Sequence, residues 1–346
     1  MTTTLVVRLD SDGDVLLAGP AVRAVAAAGD RVVLLVGPQG AAAARLLPGV
    51  DQVLVWACPW IVADPAPVDP ADIAGVVAEV RAVAADRALV LTSFHQSPLP
   101  TALVLRLAGV PWVGAVSEDY PGSLLDLRLQ LPDSGLHEAQ RQLRLAEAAG
   151  FALPAGDAAG LQVRRDLPTT TLLTGEDPYV VVHPGASVPA RAPGPEWARD
   201  LVQALLGDGC RVVVTGGPGE VGLTAAVAAP GAVDLGGRTG LAELADVLGR
   251  AAVVVVGNTG PAHLAAAVGT PVVSLFAPVV PAERWRPWQV PHRLLGDQSA
   301  ACALSRAKTC PVPGHPCLDG VPVTAAVDAV RALAPSLAPR RTAANA

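Results

Sequence analysis

The sequence has few basic residues for its length and carries no excess of positive charge. Lys and Arg together number 25 among 346 residues, against 31 Asp and Glu, so the formal net charge at pH 7 is −6. A protein that binds nucleic acid normally presents a basic face to the phosphate backbone. The charge balance therefore argues against a nucleic-acid partner.

Long apolar runs are also lacking, although hydrophobic residues make up 51% of the chain. A helix that crosses a bilayer needs about 20 consecutive apolar residues, whereas runs such as residues 251–256 end at a Gly or Pro much earlier. The first ten residues contain no basic stretch followed by an apolar core, so no secretory signal is predicted. We therefore expect a cytoplasmic protein with no transmembrane segment, whose five cysteines form no disulfide framework.

Two common catalytic motifs are missing as well, and a third does not follow the first predicted strand. There is no Gly-x-x-x-x-Gly-Lys-Ser/Thr, which argues against a P-loop NTPase. No Gly-x-Gly-x-x-Gly follows the first predicted strand, which weakens the case for a nicotinamide dehydrogenase. The nucleophile elbow Gly-x-Ser-x-Gly is also absent.

What the chain does contain is two successive sets of alternating strand-like and helix-like segments. The first set starts with strands at residues 4–9 and 31–36, whose short separation requires a crossover helix between parallel strands. The second set starts at residues 179–183 and includes continuous Val runs, which are typical of parallel strands buried on both faces. We predict an α/β fold with two doubly wound, Rossmann-like domains, residues 1–165 and 178–330, facing a shared cleft.

The segment after the four-valine strand has the composition of an anion-binding turn. Residues 257–264 read Gly-Asn-Thr-Gly-Pro-Ala-His-Leu and open a predicted helix, whose first N–H groups and positive dipole end attract anions. The glycines let a ligand approach the backbone, and the proline suits a first helical turn. The alternative is an ordinary strand-to-helix turn in which Thr259 is only the cap. The residues of this turn that we assign to an anion are Thr259, Gly260, Pro261 and His263.

Two further loops rich in small residues follow strands of the second set. One reads His-Pro-Gly-Ala-Ser and leads to Arg191, whose guanidinium could neutralise a diphosphate or could simply be solvated. The other contains Glu220, which could hold a ribose hydroxyl or a base edge, although carboxylates are common at helix starts for dipole reasons. Three such loops in one domain together predict a nucleotide site. The residues assigned from these two loops are His183, Gly185, Ser187, Arg191, Gly217 and Glu220.

The loop after the first strand, residues 10–14, reads Asp-Ser-Asp-Gly-Asp. Glycosyl or phosphoryl transfer in a cleft needs a carboxylate base. Asp14 is the candidate catalytic base, because the helix that it opens stabilises its anion, although an N-terminal Asp can also serve only as a cap. Gly13 is assigned with the donor-binding residues, and Arg8 is interpreted as a structural partner of the loop acids.

Cys302, Cys310, His315 and Cys317 are a group with the side chains of metal ligands. Zinc ligands usually come in pairs two to four residues apart, and only His315 and Cys317 have that spacing. We therefore assign no metal and no cofactor, and we favour buried thiols, with a structural zinc as the open alternative.

Together these segments resemble glycosyltransferase family 9, the bacterial ADP-heptose:lipopolysaccharide heptosyltransferases. The resemblance extends over nearly the whole chain, from residue 5 to about residue 318. Each part is weak by itself, but the combination is specific. The segments that carry the resemblance are residues 8–17, 183–187, 216–217, 257–265, 269–271 and 275–276.

The resemblance implies a GT-B fold, with an acceptor-binding domain first and a nucleotide-sugar domain second. It implies an inverting reaction, in which an acceptor hydroxyl attacks the sugar C1 as the nucleoside diphosphate departs, and it places Asp14 at the general base. The helix end and Arg191 would then stabilise the leaving diphosphate in place of a metal. The resemblance also implies that the loop of Thr239 faces the adenine of the donor. The positions that the resemblance assigns to the diphosphate are Ser187, Arg191, Asn258, Thr259, Gly260 and His263.

The sequence therefore predicts a glycosyltransferase with ADP-heptose as the favoured donor. The acceptor would be a glycolipid, a cell-wall precursor or a small natural product. Two alternatives stay open. One is a catalytically silent sugar-nucleotide-binding protein, against which the intact Asp14 argues. The other is a sugar-nucleotide epimerase with two Rossmann-like domains, which would consume its substrate without an acceptor.

Overall fold

The computed structural model describes residues 1–62, 65–132 and 135–337 of the chain. Contacts divide the chain into two compact units, Met1–Arg164 and a second unit that begins at Arg165. Within the described residues, each unit contains one six-stranded sheet in which every paired strand is parallel. The predicted fold class, two doubly wound α/β domains, is confirmed.

The first unit alternates strands with helices in chain order. Its strands are β1 (Thr3–Arg8), β2 (Arg31–Val36), β3 (Gln52–Val55), β4 (Arg87–Val90), β5 (Val113–Val116) and β6 (Leu127–Leu129). Its helices are α1 (Asp12–Leu17), α2 (Gly19–Ala27), α3 (Ala41–Leu46), α4 (Pro70–Val83), α5 (Leu99–Leu107) and α6 (Glu138–Ala148).

The central strands of the first sheet are buried on both faces. Leu5 and Val7 belong to a core cluster with Val80 of α4 and Leu105 of α5. Val6, which points to the opposite face, is also buried. Because a doubly wound sheet is covered by helices on both sides, the middle of β1, residues 5–7, is a continuous apolar run.

The second unit repeats this arrangement. Its strands are β7 (Val180–His183), β8 (Val212–Val214), β9 (Val233–Asp234), β10 (Val253–Gly257), β11 (Val272–Leu275) and β12 (His292–Leu295). Its helices are α7 (Thr171–Thr174), α8 (Pro195–Gly207), α9 (Val221–Val227), α10 (Leu241–Arg250), α11 (Gly260–Ala267), α12 (Ala282–Trp285), α13 (Pro316–Asp319) and α14 (Val323–Leu333). One face of its sheet packs against α8 and α14, with Val182, Val255, Leu201 and Val330 in a common core.

Both sheets have a topological switch point, where the strand order reverses. The orders are β3-β2-β1-β4-β5-β6 in the first unit and β12-β11-β10-β7-β8-β9 in the second. The switch points therefore lie between β1 and β4 and between β7 and β10. Open α/β sheets bind ligands beyond the carboxyl ends of the strands at such points. The loops that follow these four strands are the places where a site is expected.

The last residues of the first unit are anchored to its body. The guanidinium of Arg23 in α2 donates to both carboxylate oxygens of Asp157, at 2.9 and 3.0 Å. The backbone N–H of Arg164 donates to the carbonyl oxygen of Leu46 at 2.8 Å. The ion pair of Arg23 with Asp157 also holds the pKa of Asp157 below its usual range, chiefly through the Arg23 hydrogen bond. Residues 151–164 therefore pack as part of the first unit.

The helices of both units are short. The 14 residues of α4 exceed the length of every other helix in the described ranges. No helix there combines the length and the apolar run that crossing a bilayer would require.

Candidate functional site

The acidic loop of the first unit follows β1 at the switch point. Asp14 is the third residue of α1, directly after Asp12 and Gly13, and its side chain is 23% exposed. Ser11, the residue before the helix, makes no capping bond from its side chain. It donates instead to Asp14 Oδ2 at 3.1 Å. Asp14 thus lies in the first helical turn, where the helix dipole stabilises a carboxylate.

Arg8, at the end of β1, contacts the acids of this loop directly. Its side chain is fully buried, with Nη2 3.0 Å from Asp14 Oδ1 and Nε 3.2 Å from Asp10 Oδ2. Burial alone would lower the pKa of Arg8, but Asp10, Asp14 and the buried Glu138 outweigh it and raise that pKa. The guanidinium is therefore a fixed positive charge among carboxylates, in agreement with the interpretation of Arg8 as their partner.

The loop after β4 completes this arrangement from the other side of the switch point. Ser93 is buried, and its Oγ accepts from Arg8 Nη2 at 2.8 Å. Gln96 Nε2 donates to Asp10 Oδ1 at 2.6 Å. Sequence reasoning missed both residues, although two hydroxyl side chains directly after a buried strand were the available signal. The structure thus joins the two loops expected to flank a ligand through Arg8 and Asp10.

In the second unit, the turn after β10 leads directly into α11. Thr259 precedes α11 in an extended conformation and makes no side-chain capping bond, so it does not act as a simple cap. Gly260 and Pro261 form the start of the helix, and His263 is buried one turn in. The structure therefore places a helix N-terminus at the switch point of the second sheet, where backbone N–H groups can meet an anion.

Arg191 lies against this turn. The backbone of Gly257 packs so closely on the Arg191 carbonyl oxygen that a Cβ at position 257 would overlap it. Arg191 ends a short 3-10 turn, Pro189–Arg191, in the loop after β7. The two segments assigned to a diphosphate, which are far apart in sequence, are thus adjacent in the fold.

Asn258 has a different set of contacts. Its side chain is buried, its Oδ1 accepts from Ala277 N at 3.0 Å, and its Nδ2 donates to Ala277 O at 3.3 Å. Asn258 therefore ties the turn after β10 to the segment after β11. Its amide is thus engaged with the backbone, and the contact with the diphosphate that the resemblance implies stays a prediction.

Glu220 connects the loops after β7 and β8. Its Oε2 accepts from Gly217 N at 2.7 Å and lies 3.8 Å from His183 Nε2. A Cβ at Gly185 would overlap the Glu220 carboxylate, which would have to move to admit a side chain there. The Glu220 carboxylate thus brings together three other assigned residues, His183, Gly185 and Gly217.

His183 is an interior residue of this cluster. Its Nδ1 is 2.9 Å from Thr215 Oγ1. Burial lowers the pKa of His183 below its usual range, against the opposing effect of Glu220. The imidazole is therefore neutral at pH 7, with one nitrogen as a donor and the other as an acceptor.

Two assigned residues lie away from these contacts. Ser187 is exposed in the loop after β7. Thr239 lies in the loop after β9, two residues before α10 and two strands from the switch point. The assignment of Thr239 to the adenine stays a prediction.

The cysteine-rich segment of the second unit is largely interior. Cys302 and Cys317 are buried in the core of this unit. Burial raises the pKa of Cys317 to about 11, with further contributions from Cys302 and Cys310, so its thiol is protonated at pH 7. Within residues 1–62, 65–132 and 135–337, no three His, Cys, Asp or Glu side chains are arranged to hold a metal ion.

Comparison with known families identifies the chain. A profile of glycosyltransferase family 9 (heptosyltransferase) matches residues 74–315, which is more than half of the sequence. The chain belongs to glycosyltransferase family 9. A search of curated proteins gave no sequence match to this family 9 chain.

Solved structures are similar to this family 9 protein over nearly its full length. Escherichia coli ADP-heptose LPS heptosyltransferase II has 18% identity and a TM-score of 0.74, and the match covers 97% of this chain and 99% of that one. E. coli heptosyltransferase WaaC with ADP-2-deoxy-2-fluoro heptose has 20% identity and a TM-score of 0.65, covering 86% and 94%. At such identities the likeness shows the fold, and the predicted GT-B class is confirmed.

A third similar structure contains a metal. The iron-containing dodecameric glycosyltransferase TibC from enterotoxigenic E. coli H10407 has 14% identity and a TM-score of 0.55. The match covers 97% of this chain and 77% of TibC. The fold therefore occurs with iron in at least one protein, and independence of metals has to be tested for this chain.

Proposed function

We propose that this family 9 glycosyltransferase is an inverting enzyme that moves a heptose from ADP-heptose to an acceptor hydroxyl, with Asp14 as the general base. The observation that carries the proposal is the switch point of the second sheet, where Arg191 packs against the turn that opens α11. Membership of a family described as heptosyltransferases supports the class of reaction. The names of the similar E. coli proteins support ADP-heptose as the donor.

The second unit would bind the donor. N–H groups at the start of α11 and the guanidinium of Arg191 would hold the diphosphate, because both bind anions through charge-assisted bonds. The loop of Thr239 would face the adenine. Asp14 and Gly13 belong to the first unit, and they would meet the sugar and the acceptor when both substrates are bound. The donor-binding set remains Gly13, His183, Gly185, Ser187, Arg191, Gly217, Glu220, Thr239, Asn258, Thr259, Gly260, Pro261 and His263.

The reaction would be a single displacement. The acceptor hydroxyl gives its proton to Asp14 while its oxygen forms a bond to the anomeric carbon. The bond between that carbon and the β-phosphate oxygen breaks on the opposite side, so the configuration inverts and ADP leaves with the electron pair. The helix dipole of α11 and Arg191 would stabilise the charge that develops on the departing oxygen. In this scheme no metal is required.

The acceptor, the cellular location and the two alternative functions are separate from the choice of donor. A glycolipid, a cell-wall precursor and a small natural product all remain predictions for the acceptor, as does a cytoplasmic location. Family membership favours transfer over epimerisation. A silent sugar-nucleotide-binding protein would bind the same donor without turnover, so activity separates it from the proposed enzyme.

The test is a thermal-shift panel of ADP, UDP, GDP and their sugars, followed by assay of ADP release with a glycolipid acceptor, with a cell-wall precursor and with water alone. A ligand at 100 times its dissociation constant stabilises the native state by about 2.7 kcal/mol, which is a readily measured shift. We expect ADP and ADP-heptose to stabilise the protein most and ADP-heptose to be consumed. Stabilisation by UDP instead would overturn the donor, and binding without turnover would favour the silent protein.

A further inference from the structure

Arg8 is a charged residue at the end of an otherwise uncharged, buried strand. Every residue of β1 is buried, and the Arg8 side chain is 0% exposed. Placing a guanidinium in the interior costs several kcal/mol unless its partners compensate, and a well-packed apolar residue often gives equal or greater stability. The presence of Arg8 in this strand is therefore explained by the contacts of its charge and not by the packing of the strand.

These contacts fix the orientation of the Asp14 carboxylate. Arg8 Nη2 donates to Oδ1 at 3.0 Å and Ser11 Oγ donates to Oδ2 at 3.1 Å. Two donors on different oxygens prevent the carboxylate from rotating about its terminal bond. Because a carboxylate has about four acceptor sites, a substrate hydroxyl can bind it while the Arg8 bond is kept.

Arg8 is itself held by groups on both sides of the switch point. Ser93 Oγ accepts from the same Nη2 at 2.8 Å, and Asp10 Oδ2 lies 3.2 Å from Nε. Gln96 in turn donates to Asp10 at 2.6 Å. Nη2 donates to both Ser93 and Asp14, while Nε lies beside Asp10 without a hydrogen bond, so the planar guanidinium spreads its charge over three partners, which a lysine ammonium could not do in the same geometry.

We propose that Arg8 is a positioning residue for Asp14, and that Ser93 holds Arg8 in place from the loop after β4. The proposal rests on the proposed function of Asp14 as the base. During transfer, the acceptor proton moves to Asp14, while Arg8 stays protonated and keeps the carboxylate aimed at the hydroxyl. Misplacing a reacting group by about 1 Å can cost about 100-fold in rate, so the effect of such a residue is large.

Arg23 offers a matched control for a purely structural ion pair. It is buried in the same unit and pairs with Asp157 through two hydrogen bonds, so it is also an interior ion pair. It is not assigned to the proposed site. Substitutions of Arg23 should lower the stability of the fold without changing the turnover of the folded protein.

The experiment compares Arg8→Lys, Arg8→Met, Ser93→Ala and Arg23→Lys in the full chain. ADP release from ADP-heptose, with water as the nucleophile, gives kcat and KM, and calorimetry gives ADP affinity. We expect kcat to fall about 10-fold in Arg8→Lys, about 100-fold in Arg8→Met and about 5-fold in Ser93→Ala. Donor KM and ADP affinity should stay within about twofold, and Arg23→Lys should keep its kcat.

Unchanged kcat in Arg8→Lys and Ser93→Ala would overturn the positioning role, as would an equal loss in Arg23→Lys. Crystal structures of Ser93→Ala and Arg8→Lys provide a readout that does not depend on activity. A rotated Asp14 carboxylate in them supports the proposal, and an unmoved one contradicts it. If the unaltered protein bound neither ADP nor ADP-heptose, the proposed function would fail, while these structures would still decide whether Arg8 orients Asp14.

Discussion

The backbone of Gly257 packs directly on the carbonyl oxygen of Arg191, which leaves no room for a side chain at position 257. Because the obstacle is backbone, it cannot move aside as a flexible side chain would. We expect Gly257→Ala to destabilise the protein by about 1–3 kcal/mol and to weaken ADP binding at least 10-fold. Urea unfolding and calorimetry measure the two effects.

Gly222 supplies the control for that substitution. It lies in the first turn of α9, and a Cβ added there would have no neighbouring atom within 4 Å. Gly222→Ala should leave ADP affinity unchanged and raise helix stability slightly, by less than about 1 kcal/mol. Normal ADP affinity in Gly257→Ala would show that the turn is not part of the donor site.

Asp14→Asn should remove turnover while leaving ADP binding close to normal. The amide keeps the size of the side chain but cannot accept the proton, and loss of a general base typically lowers the rate about 10²–10⁴-fold. Asp12→Asn is the matched control, since Asp12 Oδ1 accepts from Ala43 N at 2.9 Å and serves the fold. Turnover at the normal rate in Asp14→Asn would refute the base assignment.

Arg191→Ala should weaken ADP binding by about 1–3 kcal/mol, the usual effect of losing a charge-assisted bond. Adenosine, which has no phosphate, should bind both proteins alike. Arg250→Ala serves as the control. Arg250 is the last residue of α10, and its Nη2 lies 3.8 Å from Oε2 of the exposed Glu176. Calorimetry with the two ligands distinguishes loss of a phosphate contact from general disturbance of the unit, which would weaken both.

The stability of the protein should fall at acidic pH through His183. Burial lowers the pKa of His183 in the folded state, while the unfolded chain has a value near 6.5. Below about pH 6.5 the unfolded state therefore binds a proton that the folded state does not, and stability declines by up to about 1.4 kcal/mol per pH unit. His183→Asn should flatten this part of the curve in urea unfolding between pH 7.5 and 5. Parallel curves for the two proteins would contradict the assignment of a neutral, buried imidazole.

Exhaustive chelation should leave ADP-heptose consumption intact, since the proposed reaction stabilises the leaving diphosphate with α11 and Arg191. The assay is ADP release after treatment with EDTA and, separately, with an iron chelator. Loss of activity that returns on adding iron would show that this protein requires iron, the metal that TibC contains. A requirement for Mg²⁺ would contradict the proposed role of the start of α11 at the leaving diphosphate.

Much of the fold was predictable because strands buried on both faces appear as continuous apolar runs. The predicted strand at residues 31–36 coincides with β2. Three strands were missed, namely β6, β9 and β12, which all lie at sheet edges. They are two to four residues long and each contains a charged residue, so no apolar run marks them.

The candidate site was predictable in parts that are local in sequence. The turn at residues 257–264 and the loop at residues 10–14 carry their signal in consecutive residues. The contact between Arg8 and Ser93 leaves no signal in consecutive residues, because the two are 85 residues apart and meet only through the pairing of β1 with β4. The contact of Arg191 with Gly257 likewise depends on the pairing of β7 with β10.

The ion pair between Arg23 and Asp157 determines where the first unit can be truncated. A fragment that stopped at residue 150 would leave the Arg23 guanidinium buried without its carboxylate and would uncover the surface beneath Leu161, which is 4% exposed. Unpaired interior charge of this kind is strongly destabilising. A recombinant first unit should accordingly run through Arg164.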